Sequence, residues 1–249
     1  MSGHSKWAQI KRQKGANDAK RGQVFTRLGR EIVVAAREGG GDPIANFRLR
    51  LAVQRAREHN MPADNIERAI KRGTGGGESG DLDEITYEGY GPGGGAVIVQ
   101  VMTDNRNRAA GEVRNVFTKH GGSLGESGSV AWQFDDRGVI TLALNGHDAE
   151  EVELLAIDAG AVEVQADGDQ IEIQTEPTDL EHVRQSLESQ KLEIINAERS
   201  LVPRTTVALD SHQAAQLLRL VDRLEELDDV QKVYSNVDIA DEDVAAYAG

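Results

Sequence analysis

There is no cysteine in this chain of 249 residues. Disulfides, a thiolate nucleophile and zinc or iron–sulfur sites built on cysteine are therefore excluded, and the composition suits a reducing compartment. Aromatic residues make up only 4%, which argues against a surface that reads single-stranded nucleic acid by stacking. No apolar run approaches the ~20 residues needed to cross a bilayer, and the first residues lack the apolar core of a signal peptide. The start is Arg-rich and acid-poor but runs without a break into the next helical pattern, so it reads as part of a mature, cytoplasmic protein. His4, His59, His120, His147, His182 and His212 are scattered, with no i, i+4 pair and no HExxH. No metal site or other cofactor is expected.

What is present is charge, unevenly divided. The chain holds 28 Lys plus Arg against 42 Asp plus Glu, a formal net charge of −14. Up to Gly73 there are 16 basic and 7 acidic residues; beyond it there are 12 and 35. The two parts carry about +9 and −23, an asymmetry typical of a polyanion-binding region joined to an acidic body. In MSGHSKWAQIKRQKGANDAKRGQ, residues Lys6, Lys11, Arg12, Lys14, Lys20 and Arg21 are opposed only by Asp18. Such a segment neutralises phosphates and releases counterions, the sequence-independent part of nucleic-acid affinity. Trp7 and Ile10, three apart, are expected to anchor the segment by packing.

Periodicity divides the chain further. Val24, Leu28, Ile32 and Ala35 predict a helix over 18–38 ended by Gly39-Gly40-Gly41. Asp42-Pro43 predicts the start of a second helix running to His59, with Ile44, Leu51 and Ala52 inward. Pro62 to Arg72 predicts a third, with Gly73 as its stop. The basic residues of these helices are expected mostly outside. TGGGESG, residues 74–80, reads as a linker.

Next come a strand over 97–103, a helix over 106–120 and two short strands near Leu124 and over 130–134. A β-α-β-β-α-β run occupies 138–199, and a helix over 211–227 and a strand over 230–236 complete the earlier unit. The fold class expected is α+β multidomain: an N-terminal three-helix domain, then two ferredoxin-like (split βαβ) domains, one inserted in the other. The domains would be 1–78, then 79–134 with 206–249, interrupted by 135–205.

Two motifs point to chemistry that their context denies. Gly89-Tyr90-Gly91-Pro92-Gly93-Gly94 has dinucleotide-fingerprint spacing, but a strand follows where a helix is needed, so a hairpin loop is expected. Gly121-Gly122-Ser123-Leu124-Gly125 has the nucleophile-elbow pattern but leads from a helix into a strand, the reverse of an elbow. Glu225, Glu226, Asp228 and Asp229 read as a solvated face. No catalytic residue and no small-molecule substrate emerge. Arg106 and Arg108 differ, because cations in a first helical turn are unfavourable unless something negative lies near. With Asp104 or Asn105 as cap, they suggest a phosphate.

The blocks SGHSKWAQIKRQKGANDAKRGQVFTRLGREI, AAREGGGDP, NMPADNIERAIKRGTG, YEGYGPGGGAVIV, TDNRNRAAGEVRNVFTKHGG and VQKVYSNV resemble the YebC/PmpR family over nearly the whole chain. The resemblance implies a helical domain followed by two α+β domains, one interrupting the other. It also implies a cytoplasmic DNA-binding transcriptional regulator, whereas mitochondrial relatives resemble translational activators and bacterial ones are linked to ribosomes stalled on proline-rich stretches. Phe47 stands where the family pattern has proline, which would end or kink a helix begun at Asp42. The partner expected is duplex DNA or ribosomal RNA, the latter on the ribosome. Contacts would be mainly to phosphate, through Lys6, Lys11, Arg12, Lys14, Lys20, Arg21, Arg106 and Arg108.

Overall fold

The computed structural model describes residues 18–75, 82–240, 243 and 247. They form two compact units, one from residues up to 131 with 209–235 and 239 onward, the other from 132–208 with 236–238. The expected positions of Lys6, Lys11, Arg12, Lys14, Trp7 and Ile10 and most of the linker lie outside the described residues.

The first unit opens with three helices, α1 (Asp18–Gly39), α2 (Phe47–Glu58) and α3 (Ala63–Gly73). Leu28, Ile32, Ala35 and Ala36 of α1 are buried, as the periodicity required, against Leu49, Ala52, Val53 and Ala56 of α2 and Ile66 and Ala69 of α3. The second helix begins four residues later than Asp42-Pro43 predicts. Asp42 instead closes a turn, its carboxylate accepting from Ile44 N–H at 2.9 Å and its carbonyl from Asn46 N–H at 2.9 Å. Ile44 is consequently 86% exposed and plays no part in the core.

Asn46 is the cap, its Oδ1 accepting from Leu49 N–H at 3.1 Å. Its Nδ2 donates to the carbonyls of Ala35 at 2.7 Å and Gly40 at 2.8 Å, tying the end of α1 to the start of α2. Position 47 is therefore the first helical residue, where proline is tolerated because its missing N–H has no helical partner to lose. The departure at Phe47 leaves the fold intact.

The same unit continues with β1 (Asp83–Tyr90), β2 (Ala96–Thr103), α4 (Arg106–Lys119) and β3 (Ser123–Leu124). It is completed from the far end of the chain by α7 (Ser211–Glu225) and β9 (Val230–Ser235). The antiparallel sheet has the order β3-β1-β2-β9, with α4 on β1 and β2 and α7 against β9 and α4. Central β2 is buried almost throughout, as are Val113 and Phe117 of α4 and Leu217, Leu220 and Leu224 of α7.

One strand differs from expectation. Residues 130–134 do not pair beside Leu124; Ala131–Gln133 is a short 3-10 turn, and the slot between β3 and β2 is taken by β1 from upstream. The cause is Glu88. This buried β1 carboxylate accepts from Gly128 N–H at 2.7 Å and from Val130 and Ala131 N–H at 2.8 Å each. Those N–H groups are thus turned to an anion instead of a neighbouring strand.

The loop Gly91–Gly95 closes the β1–β2 hairpin, with Gly91 N–H donating to the Gly95 carbonyl at 2.8 Å. Gly93 takes φ +72°, and a Cβ on Gly89 would lie 2.6 Å from the Ser123 carbonyl oxygen, so these glycines serve the turn and the packing.

The second unit is a complete split βαβ domain: β4 (Phe134–Ala143), α5 (Ala149–Asp158), β5 (Glu163–Asp167), β6 (Gln170–Thr175), α6 (Leu180–Ser189) and β7 (Glu193–Pro203), with sheet order β5-β6-β4-β7. A short parallel pair, β8 (Val207–Ala208) with β10 (Val237–Asp238), joins its ends. Both sheets thus have the same spatial plan, and the first builds it with its hairpin partner supplied ahead of the helix. The chain is an α+β multidomain protein, a helical region followed by two ferredoxin-like domains with one inserted in the other. No helix among the described residues is long and apolar enough to cross a membrane.

Candidate nucleic-acid interface

The residues that charge and spacing single out fall into three groups. Lys6, Lys11, Arg12 and Lys14 precede the described residues, while Lys20 and Arg21 lie on the first turns of α1. Arg106 and Arg108 occupy the first turn of α4, which is capped by Asn105, whose Oδ1 accepts from Arg108 N–H at 3.0 Å.

The negative charge that α4's first-turn arginines require is present in the chain itself. Arg106 grips Asp83 in a fork, Nε to Oδ2 and Nη2 to Oδ1, both at 2.8 Å. Asp83 is held below the usual carboxylate range chiefly by that hydrogen bonding. Arg108 Nη2 reaches Asp104 at 2.9 Å and Asp229 at 2.7 Å. Both guanidiniums retain an exposed portion, and none of these bonds uses Nη1 of either.

Asp229 is where sequence reading fails most clearly. Far from lying on a solvated face, it is 3% exposed. Its Oδ2 accepts from Thr103 Oγ1 at 2.8 Å as well as from Arg108, and its Oδ1 meets Arg30 Nη2 of α1 at 2.9 Å. Burial alone would push this carboxyl up, but the hydrogen bonds from Arg108 and Thr103 and the charge of Arg30 outweigh it and hold it below its ordinary value. Arg30 also donates to the Asp228 carbonyl. Arg27, one turn earlier, loses basicity through burial while Glu225 and Asp228 restore part of it. Two arginines of α1 therefore face the C-terminal end of α7, where free carbonyls favour cations.

Other basic residues of the helical region are similarly committed. Arg48 bridges Glu38 of α1 and Glu84 of β1, Arg55 meets Glu31 at 3.0 Å, and Arg37 donates to the Leu82 carbonyl. Arg57, Lys71 and Arg72 remain exposed with no ion pair among the described residues, and exposed Arg68 binds only Asn65 and the Asp64 carbonyl among them. The surface open to a polyanion is thus narrower than the count of cations suggests. Among the described residues no group of His, Asp and Glu is arranged to hold a metal ion.

Family models account for this architecture: one described as the TACO1/YebC protein N-terminal domain matches residues 5–76, and one described as the TACO1/YebC second and third domain matches residues 82–237. The chain belongs to the TACO1/YebC family. It is 56% identical over 250 residues to a probable transcriptional regulatory protein of Rubrobacter xylanophilus, covering all of both chains. A protein of the same description from Pelotomaculum thermopropionicum is 54% identical over 243 residues, covering 97% of this chain and 100% of the relative. Among solved structures, a conserved hypothetical protein of Aquifex aeolicus superposes with a TM-score of 0.83 at 46% identity, covering 90% of this chain and 93% of that one. The TACO1/YebC fold accordingly includes the α1–α3 region and both split βαβ domains.

Proposed function

We propose that this chain is a regulator of gene expression that binds duplex DNA, mainly at its phosphates, through the basic region spanning residues 1–78. The observation that carries this reading is the division of charge at Gly73, 16 basic to 7 acidic on one side and 12 to 35 on the other. Lys6, Lys11, Arg12, Lys14, Lys20 and Arg21 supply the main contacts. Arg57, Lys71 and Arg72 extend the cationic surface, and Arg106 and Arg108 offer an outer N–H edge beyond the carboxylates they already hold. A phosphate-dominated interface of this kind has a steep salt dependence and weak sequence preference. The names of the family relatives, probable transcriptional regulatory proteins, accord with it. No catalytic step belongs to this reading.

A second reading, ribosomal RNA on a translating ribosome, is favoured by the ties between Arg30 and Asp229 and between Arg48 and Glu84. They hold acidic structure close to the basic helices, so a long duplex would meet repulsion beside its contact, over a range of about 8 Å at physiological salt. Crosslinking in cells, followed by sequencing of the attached nucleic acid, separates the two. Discrete chromosomal segments support the DNA reading; predominance of ribosomal RNA overturns it in favour of the second.

A further inference from the structure

Of the seven large apolar side chains that are exposed among the described residues, three lie within nine positions: Leu154 at 64%, Ile157 at 51% and Val162 at 53%. Leu154 and Ile157 are one turn apart on the outer side of α5, opposite the buried Val152 and Ala156. From Asp148 to Glu163 there are six carboxylates and no Lys or Arg.

Helix stability does not account for this arrangement. Asp148, as cap, and Glu150 and Glu151, in the first turn, suit the helix dipole, but Asp158 in the last turn opposes it, and no basic residue is there to offset it. The neighbouring helix α6 shows the ordinary solution. It buries Leu180, Val183 and Leu187 and covers its surface with the Glu181–Arg184–Glu188 ion pairs.

We propose that the outer face of α5 is a docking surface for a lysine- and arginine-rich amphipathic segment of another protein. Its aliphatic side chains seat on Leu154 and Ile157, and its cations meet the carboxylates that α5 carries around them. Charge selects this occupant. Phosphate backbones and anionic lipid surfaces are repelled by six carboxylates, and a second copy meeting the same patch across a two-fold axis would bring like charges together. An apolar centre inside a charged rim is the ordinary anatomy of a protein interface. The proposal is independent of the nucleic-acid reading, since it uses the acidic part of the chain.

The test is calorimetric titration of the full chain with a synthetic 14-residue amphipathic helix of leucine and lysine, beside a peptide of the same composition in scrambled order. Four proteins are compared: wild type, Leu154→Ser/Ile157→Ser, Glu150→Gln/Glu151→Gln, and Glu112→Gln/Glu126→Gln, which removes two exposed carboxylates elsewhere. The amphipathic peptide should bind wild type more tightly than the scrambled one. Loss of the two apolar side chains should weaken binding at least about tenfold, the Glu150/Glu151 change should weaken it and flatten its salt dependence, and the control pair should bind as wild type does. An unchanged melting temperature for Leu154→Ser/Ile157→Ser shows that the fold is kept. Equal binding of both peptides, equal loss in the control pair, or no binding overturns the proposal. A wild-type dimer that Leu154→Ser/Ile157→Ser dissolves in sedimentation overturns it in favour of self-association.

Discussion

Arg108 and Asp229, 121 positions apart, meet at 2.7 Å, and on the other oxygen of the same carboxylate Arg30 closes to 2.9 Å. One buried acid thus joins the first helix, the N-terminal end of α4 and the strand that completes the first sheet.

Replacing Asp229 by Asn should destabilise the first unit. The loss should fall toward the lower end of the about 3–5 kcal/mol typical of a broken buried pair, because Arg108 is 44% exposed and regains hydration. Chemical denaturation followed by circular dichroism measures it. If Arg30→Gln is made in the same background, the two losses should be less than additive, since both remove the same ion pair.

Acid should act through the same residues. Asp229 and Glu88 are both held below their ordinary values, in each case against burial, by arginine and threonine donors for the first and by three backbone N–H groups for the second. Their stabilisation is complete above the unfolded carboxylate range, roughly pH 4 to 4.5, and is lost as pH falls through the lower folded values. The stability of Asp229→Asn should therefore decline less steeply than wild type as the pH is lowered from about 5 through that range. An identical decline in the two proteins would mean that Asp229 is not a linked group.

Glu88→Gln keeps the shape of the side chain but puts an amide donor where two acceptor oxygens serve Gly128, Val130 and Ala131. The loop should open, with faster hydrogen exchange at those three amides and a stability loss of about 2 kcal/mol. Unchanged exchange would refute the clamp.

Asn46→Ala removes a helix cap and two further bonds to the end of α1. A loss of about 2 kcal/mol is expected, with Asn46→Asp recovering the cap but not the two donated bonds. Thermal melting of the three proteins distinguishes them.

Substituting Lys11, Arg12 and Lys14 together by Ala should weaken duplex binding and reduce the salt slope by roughly 0.9 for each phosphate that is no longer neutralised. Fluorescence anisotropy at several salt concentrations reads it directly. An unchanged slope would make this segment a solubilising arm.

Most elements could be read from the sequence because their signals are local. The stripe of Leu28, Ile32 and Ala35 and the patterns over 211–227 and 230–236 each depend on neighbours within a few residues, and α1, α7 and β9 appear within about two residues of their expected limits. Asp42-Pro43 predicts a start for α2 on local chemistry, yet the chain uses Asn46 instead. What decided between them was the pair of bonds that Asn46 makes to the end of α1, which no local pattern contains.

The carboxylates posed the harder problem. β1 was not among the expected strands, although Ile85, Tyr87 and Gly89 alternate with Glu84, Thr86 and Glu88 as a half-buried strand would. Glu88 became an interior residue only when the loop over 128–131 wrapped its backbone around it. Likewise the acidic run ending at Asp229 looks uniformly exposed, and only the arrival of Arg30 and Arg108 from distant segments makes burial of one member tolerable.

By itself the sequence determined the fold class, the periods of the helices and strands, and the separation of positive from negative charge, since those rest on composition and local spacing. Tertiary structure decided which charges are spent inside the protein, because the cost of burying an ion depends on partners that the chain brings together only when folded. Asp229 and Glu88 went inward, Arg30, Arg48 and Arg108 were drawn into ion pairs, and Arg57, Lys71 and Arg72 were left facing outward.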